Sequence, residues 1–436
     1  QLDAIVRSGP DLILVAGGTD GGASRSVAKQ IELINLVCRI LPTDRRPEIL
    51  YVGNQILAAR IKEALDKFAR TTTAPNIRPS IDIEDINPAM GALTQVLTHL
   101  RTRKIGGLES YLSMVSTPAL PATAALGHIV RFLSGIYDPK PVLAIDVGAS
   151  WTTLVTAQHG ALSTNVSPFG VGGGITGLLQ HSKVEEIAQW LPIQIPLDVV
   201  RDYLWQKALY PASIPVSIEA LAIEQSLARQ VIRAALQATL TRWPNLNIAF
   251  EPILASGAIL TQASTPAQAL LILLDSLQPA GITLVALDQN GVLPALGAVS
   301  TFNSILPVQV IESGALLNLA TVIAPISNEK FGTPILSVHM EYENGSTSNH
   351  QIAQGSLTAL PLSPGQKARV YLKPLRRLDL NPYGGQRLTN FNATGGVCGL
   401  VIDCRGRPLQ LPQEEPRRRD LIRKWLTALG NLPPAQ

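Results

Sequence analysis

Short apolar runs that end on glycine or aspartate and then give way to a helical pattern constrain this chain more than any other feature. Asp11 to Ala16 reads as a buried strand and runs into Gly17-Gly-Thr-Asp-Gly-Gly22, after which Val27, Ile31, Ile34 and Cys38 recur with helical spacing. Glu48 to Gly53 repeats the theme behind the Pro42 to Pro47 loop and leads into a helix from about Gln55 to Ala69. Residues 1–70 therefore predict an α/β unit with parallel pairing.

Composition bounds the rest. Charged residues make up 16% of the chain and hydrophobic ones 46%, and ordinary domains carry about 25% charge, so the chain is an ordered, multi-lobed globular protein. Its 436 residues suggest about three units. Three cysteines, Cys38, Cys398 and Cys404, make no disulfide framework and no zinc motif, which fits a reducing cytoplasm. The most apolar stretch, Ala267 to Leu277, is broken by Gln268 and Asp275, well short of the ~20 residues a spanning helix needs, so no membrane role is expected. The net charge of +4 sits mainly in the last stretch, where Arg405, Arg407 and Arg417 to Arg419 are interleaved with acids. That pattern argues against nucleic acid. The chain opens at Gln1 without an initiator Met or a signal pattern, which reads as a processed or cut chain with something upstream.

Helical pattern returns at Ala89 to Arg103 and Pro121 to Ser134, and then Pro141 to Asp146 and Thr152 to Ala157 read as two strands of a hairpin. After a helical insertion, Ile218 to Trp243 is the longest helix. Strand Pro252 to Gly257, a helix from Pro266 to Ser276 capped by Thr265, and strand Gly281 to Asp288 follow. From Pro307 the texture changes to short β-rich runs with turn signals at Glu343-Asn-Gly, Pro364-Gly and Tyr383-Gly-Gly. Three domains are expected: 1–140, 141–304 and 305–436, the last closed by a helix from about Pro416 to Leu429.

Asp146-Val-Gly-Ala-Ser-Trp-Thr-Thr153 carries the most chemistry. An acid ends a buried strand, Gly148 removes a side chain, and Ser150, Thr152 and Thr153 line the turn. Exposed N–H groups at such a turn can nest a phosphate, and Asp146 beside them can hold Mg²⁺ through water. A strand ending in a tight turn gives the same pattern without a ligand. Ser256 and Gly257 end the strand where a flat adenine ring could approach the backbone. Gly17, Gly18 and Asp20 form a second candidate anion or metal loop, alternatively a strand-to-helix turn that needs small residues. Gly170-Val-Gly-Gly-Gly174 reads as a plain loop, the alternative being a flexible hinge beside a bound nucleotide. The six histidines show no mutual spacing, no catalytic residue is identified, and Cys398 and Cys404 read as packing residues.

Read together, LVAGGTDGG at Leu14–Gly22, YVGN at Tyr51–Asn54, AIDVGASWTT at Ala144–Thr153, LASGAIL at Leu254–Leu260, LLDSLQPAGIT at Leu273–Thr283, LGAV at Leu296–Val299 and GGVCGLVIDCRGRPLQLP at Gly395–Pro412 resemble the MutL-like, glutamate mutase accessory family of the actin-like ATPase superfamily. The resemblance spans nearly the whole chain, with GGTDGG and the DCRGRPL block its specific parts. It implies an α/β, actin-like (ribonuclease H-like) two-lobe fold, N-terminally incomplete, with a C-terminal β-rich domain. It also implies ATP and Mg²⁺ at the residues named above, and a cobalamin-dependent mutase as protein partner. Two departures stand out. Thr153 falls where the family's second phosphate loop has its second aspartate, and no DxGST-type first loop precedes Asp11.

The expected function is a nucleotide-responsive accessory, reactivating or assembly protein of an adenosylcobalamin-dependent mutase such as glutamate mutase, at most a weak ATPase. A degenerate, non-hydrolysing scaffold and a small-molecule kinase are the alternatives. The C-terminal helix, with Leu421, Ile422, Trp425, Leu426 and Leu429, is expected to dock on its own lobe; the alternative is a partner-binding edge around an exposed Trp425. The sequence leaves the oligomeric state open.

Overall fold

A computed structural model describes residues 2–22, 24–115, 119–137, 139–381 and 389–430. Ala23 and the turn signal at Tyr383 lie outside these residues. The chain forms two compact units, 1–121 and 122–436.

The first unit is built on three parallel strands, β1 (Leu12–Val15), β2 (Glu48–Tyr51) and β3 (Thr71–Thr73), in the order β1-β2-β3. Helix α1 (Arg25–Ile40) buries the stripe read from its sequence, Val27, Ile31, Ile34 and Cys38. With α2 (Ala58–Leu65) it closes a core over Ile49 and Tyr51, and α3 (Asn87–Lys104) follows.

In the second unit, helix α4 (Ala122–Ser134) precedes β4 (Val142–Val147), so the boundary falls at 121/122 and not near residue 140. The reason is packing: Leu126, Ile129 and Val130 of α4 lie on Val142 and Ala144 of β4. Strands β4, β5 (Thr152–Gln158) and β6 (Ala161–Ser167) form an antiparallel meander. Then β7 (Ile253–Ser256) and β8 (Gly281–Leu287) add parallel to β4 on its other side. The order β6-β5-β4-β7-β8 is the ribonuclease H-like arrangement of an actin-like lobe. The helical insertion ends in α5 (Leu197–Leu209) and α6 (Ile218–Arg242), and α7 (Pro266–Leu277) is capped by the Thr265 hydroxyl accepting from the Gln268 N–H. Side chains of β4 alternate between two cores. Leu143, Ile145 and Val147 face the layer of α6 and α7, while Val142 and Ala144 face α4 and α8 (Val292–Ser300). Gly297 in the LGAV run is needed where α8 crosses α4, because a Cβ there would meet the Ala125 carbonyl at 1.7 Å.

The chain beyond residue 304 is β-rich, as expected, and forms one compact unit with the lobe before it. It begins with a helix, Ile305–Glu312, and three of its strands, β9 (Leu317–Ala324), β12 (Leu357–Leu360) and β15 (Leu400–Asp403), extend the actin-like sheet to eight strands. The other four, β10 (Pro334–Tyr342), β11 (Thr347–Ala353), β13 (Lys367–Pro374) and β14 (Asn390–Thr394), make an antiparallel sheet in the order β11-β10-β13-β14. Leu336, Val338, Met340, Val370 and Leu372 pack it against Ile282, Ile323, Leu400 and Ile402 of the large sheet. The turn signals at Glu343-Asn-Gly and Pro364-Gly fall at strand ends, between β10 and β11 and before β13, but such signals do not say which sheet a strand joins.

Helix α9 (Glu415–Gly430) docks back on its own unit through Ile422, Trp425 and Leu429, which are buried. Trp425 lies under the Arg405 guanidinium, 4.6 Å from its carbon, so it forms no exposed edge. Among the described residues no helix is long and apolar enough to cross a membrane.

Candidate functional site

Parallel α/β sheets place ligands beyond the carboxyl ends of their strands. Three neighbouring parallel strands of the second unit end there in polar residues: Asp146 on β4, Ser256 on β7 and Asp288 after β8. Asp146 is in register with Ser256 on one side and Thr153 of β5 on the other. The Ser256 hydroxyl donates to Asp146 Oδ1 at 2.7 Å. The second Asp146 oxygen has no hydrogen bond among the described residues, and Asp146 lines a cavity of about 300 Å³.

Four residues singled out in the sequence, Asp146, Thr153, Ser256 and Gly257, line this cavity, with Thr123, Thr261, Gln262, Asp288 and Gln289. Gly257 holds φ at +107°, and a Cβ there would meet the Val147 carbonyl at 2.2 Å, so the turn after β7 closes onto β4 only without a side chain. The other three residues of the hairpin turn do not line the cavity. Thr152 is buried and its hydroxyl donates to the Phe169 carbonyl at 2.9 Å, a structural bond. Gly148 donates its N–H to the Trp151 carbonyl at 3.0 Å, closing the turn, and Ser150 is exposed at the tip. The N–H groups of Ala149 and Ser150 have no partner among the described residues.

Gly170 to Gly174, read as a plain loop, is the brace of that turn. Val171 N–H donates to the Gly148 carbonyl at 3.1 Å, and the N–H groups of Gly172 and Gly174 donate to the Ala149 carbonyl at 2.8 and 3.0 Å.

Asp288 was not singled out in the sequence. Both its oxygens accept 2.8 Å bonds from the N–H groups of Val292 and Leu293, so it caps α8 and lines the cavity at the same time. The signal was present: Leu-Val-Ala-Leu-Asp288 ends a strand as Leu-Ala-Ile-Asp146 does.

Gly17, Gly18 and Asp20 belong to the first unit, at the carboxyl end of β1. Asp20 Oδ1 accepts from the Gln55 N–H and from the Asn76 amide, both at 2.8 Å, and these bonds hold its carboxyl below the usual value. Asn76 also donates to the Gly18 carbonyl at 3.0 Å, and Asn54 N–H donates to the Gly17 carbonyl at 3.1 Å. The loop is thereby stapled to the turns after β2 and β3.

For a divalent cation, the described residues contain no group of three or more His, Cys, Asp or Glu that could hold it. A single free carboxylate oxygen beside hydroxyls suits Mg²⁺ that keeps its waters and takes further ligands from phosphate, the usual way it meets nucleotides. Asp146 would hold such an ion.

A family model described as MutL protein matches residues 1–314, covering the first unit and the actin-like lobe. The chain belongs to the MutL protein family. Protein MutL of Clostridium tetanomorphum is 25% identical over 167 residues, which are 37% of this chain and 34% of that relative. The match thus spans about a third of the relative's length. Among solved structures, component A of (R)-2-hydroxyglutaryl-CoA dehydratase from Acidaminococcus fermentans aligns with 11% identity over 64% of this chain and 83% of its own, at a TM-score of 0.22. The archaeal actin homologue Ta0583 aligns with 11% identity over 64% and 76%, at 0.24.

Proposed function

We propose that this MutL-family chain is a nucleotide-responsive accessory protein of an adenosylcobalamin-dependent mutase such as glutamate mutase, acting in its reactivation or assembly. The observation that carries the nucleotide part is the convergence of two segments 110 residues apart, the hairpin with Asp146 and Thr153 and the turn with Ser256 and Gly257, on one cavity at the carboxyl ends of β4 and β7. The mutase part rests on family membership.

In this reading the Ala149 and Ser150 N–H groups of the hairpin turn would receive the phosphates of ATP. Bound Mg²⁺ supplies charge neutralisation for the phosphates. Asp146, oriented by Ser256, would hold the hydrated ion, with the Thr153 hydroxyl lining the same cavity. Asp288 is held by the N–H groups of Val292 and Leu293, one on each oxygen, so among the described residues lining the cavity no second carboxylate is without backbone bonds of this kind to take a proton from an attacking hydroxyl. That favours slow or absent hydrolysis over the kinase alternative, in which a base must accept that proton. The non-hydrolysing scaffold remains the second reading on the same observation. The buried, unpaired state of all three cysteines fits a reducing, cytoplasmic setting.

Calorimetric titration of the full chain with MgATP tests this, followed by a reactivation assay on inactivated glutamate mutase with and without ATP. Weak saturable binding and ATP-dependent recovery of mutase activity are expected. No heat of binding would leave the scaffold; binding without any effect on the mutase would remove the accessory role.

A further inference from the structure

The peptide planes of the hairpin turn after β4 have a fixed direction, and the glycine loop sets it. In a trans peptide the C=O and N–H lie in one plane and point opposite ways, and the Gly148–Ala149 and Ala149–Ser150 bonds are both trans. The Gly148 carbonyl accepts from the Val171 N–H at 3.1 Å, so the Ala149 N–H in the same plane points away from the glycine loop. The Ala149 carbonyl accepts from the N–H groups of Gly172 and Gly174 at 2.8 and 3.0 Å, so the Ser150 N–H points away from it too. Both residues are exposed, and neither N–H has a partner among the described residues.

The loop also locks this direction. A carbonyl oxygen has two lone pairs, and that of Ala149 has both engaged, so the 149–150 peptide cannot turn over without giving up two hydrogen bonds. Turned over, it would present an oxygen where the Ser150 N–H now stands and repel an anion instead of receiving one. Close approach makes the lock possible. A Cβ on Gly170 would meet the Ala149 carbonyl oxygen at 2.4 Å, and one on Gly174 the Ser150 carbonyl oxygen at 2.4 Å, so the loop reaches the turn only without side chains. Its root is fixed by the Thr152 hydroxyl, which donates to the Phe169 carbonyl at 2.9 Å. Its flank lies against Pro211, since a Cβ on Gly172 would meet Pro211 Cβ at 2.9 Å and Ala149 Cβ at 3.1 Å.

We infer that Gly170 to Gly174 is a positioning element for phosphate recognition, which aims the Ala149 and Ser150 N–H groups outward as a two-donor anion nest before any ligand arrives. This rests on the nucleotide reading above and adds to it residues that act only through the turn. Successive backbone N–H groups form anion-binding concavities, and donors set in advance cost no reorganisation when the charge arrives. The contribution of the loop is therefore confined to the phosphates, and the adenosine part of the nucleotide does not depend on it.

The test is calorimetric titration of the full chain with MgATP and, separately, with adenosine, beside thermal unfolding. Gly172→Ala presses a methyl group against Ala149 and Pro211, and Thr152→Val frees the root of the loop without adding bulk, which keeps the test open if the first variant melts early. Gly91→Ala, where a Cβ meets nothing within 4 Å, is the control. MgATP affinity should fall tenfold or more in both loop variants and stay unchanged in the control, with adenosine affinity within about twofold of the wild type throughout. Amide spectra of protein labelled with ¹⁵N-alanine read the nest directly: MgATP should shift the Ala149 signal in the wild type and leave it in place in Thr152→Val. If both variants bind MgATP as the wild type does, the positioning role is wrong and the nucleotide reading stands. A loss of adenosine and MgATP by the same factor would make the loop a general support of the lobe and overturn the inference. If the wild type binds neither, the nucleotide reading fails and takes the positioning role with it.

Discussion

The hydroxyl of Ser256 donates to Asp146 Oδ1 at 2.7 Å across 110 residues of sequence. The bond joins the ends of two adjacent parallel strands and leaves the second oxygen of this cavity-lining carboxylate without a hydrogen bond among the described residues. It therefore separates two roles usually merged in one aspartate, since one oxygen is structural and the other is available to a ligand.

Substituting the two partners should separate those roles. Ser256→Ala removes a hydrogen bond to a charged group and should cost about 1.5 kcal/mol of stability in urea denaturation, with MgATP affinity lowered modestly because Asp146 is no longer oriented. Asp146→Asn keeps an acceptor for Ser256 and should cost less stability, yet lose the Mg²⁺-dependent part of the binding heat. Calorimetry with ATP in EDTA and in Mg²⁺ reads the difference. Equal magnesium dependence in wild type and Asp146→Asn would take the ion away from this site.

The two glycines of the site should fail differently. At Gly148 a Cβ would meet the Trp151 carbonyl at 2.7 Å, on a half-exposed turn that can shift, so Gly148→Val should abolish nucleotide binding with a small change in melting. At Gly257 the obstacle is the β4 backbone at 2.2 Å and φ is +107°. Gly257→Ala should therefore lose on the order of 3 kcal/mol through strain and overlap. Differential scanning calorimetry beside ATP titration distinguishes the two.

Much of this was legible in the sequence because it is local. The β4–β5 hairpin, α6, and the Thr265 cap of α7 each follow from composition, period and a capping residue within one segment. Asp146 and Ser256 were readable as strand ends. That they lie close together is the expectation the fold reading carries; the hydrogen bond between them is not legible, since register between strands 110 residues apart is set by the sheet as a whole. The same limit hid the fate of β9, β12 and β15, whose short alternating runs look alike whether they join a separate sheet or extend the large one. Gly170 to Gly174 was unreadable as a brace, because its role lies in backbone bonds to Gly148 and Ala149 that leave no side-chain signature.

The thiols give a third expectation. Cys398 is buried and its thiol is pushed up to about 11, and Cys404 to about 12, in both cases first by burial. Since the thiolate is the reactive form, native protein at pH 8 should leave both unreacted with an aromatic disulfide reagent and release them on denaturation. A raised folded pKa favours the protonated state, so the stability it contributes is complete below the ordinary value of 9.0 and is lost as pH climbs toward those values. Rapid labelling of native Cys404 at pH 8 would contradict its burial.

The DCRGRPL block offers the last and largest effect. Asp275 on α7 accepts from Arg229 Nε of α6 at 2.7 Å and from Arg405 Nη1 at 2.6 Å. Asp403, at the end of β15, accepts from Arg405 Nη2 at 2.9 Å and Arg407 Nη2 at 2.8 Å. The five side chains are buried and Arg405 also carries the Trp425 ring of α9. Removing one member leaves the others charged and unanswered, which costs about 3–5 kcal/mol. Arg405→Met should lose that much in urea denaturation and loosen α9, so deletion of residues 413–436 should also destabilise the second unit, by uncovering the apolar surface beneath Ile422 and Leu429. Burial alone would raise the Asp403 carboxyl, but Arg405 and then Arg407 hold it far below its ordinary 3.8. A depressed folded pKa contributes stability above the unfolded value and loses it as pH falls through the folded one. Wild-type stability should therefore decline below about pH 4, and Asp403→Asn should be less stable at neutral pH but flatter in acid. An Asp403→Asn variant with the acid slope of the wild type would place that titration elsewhere.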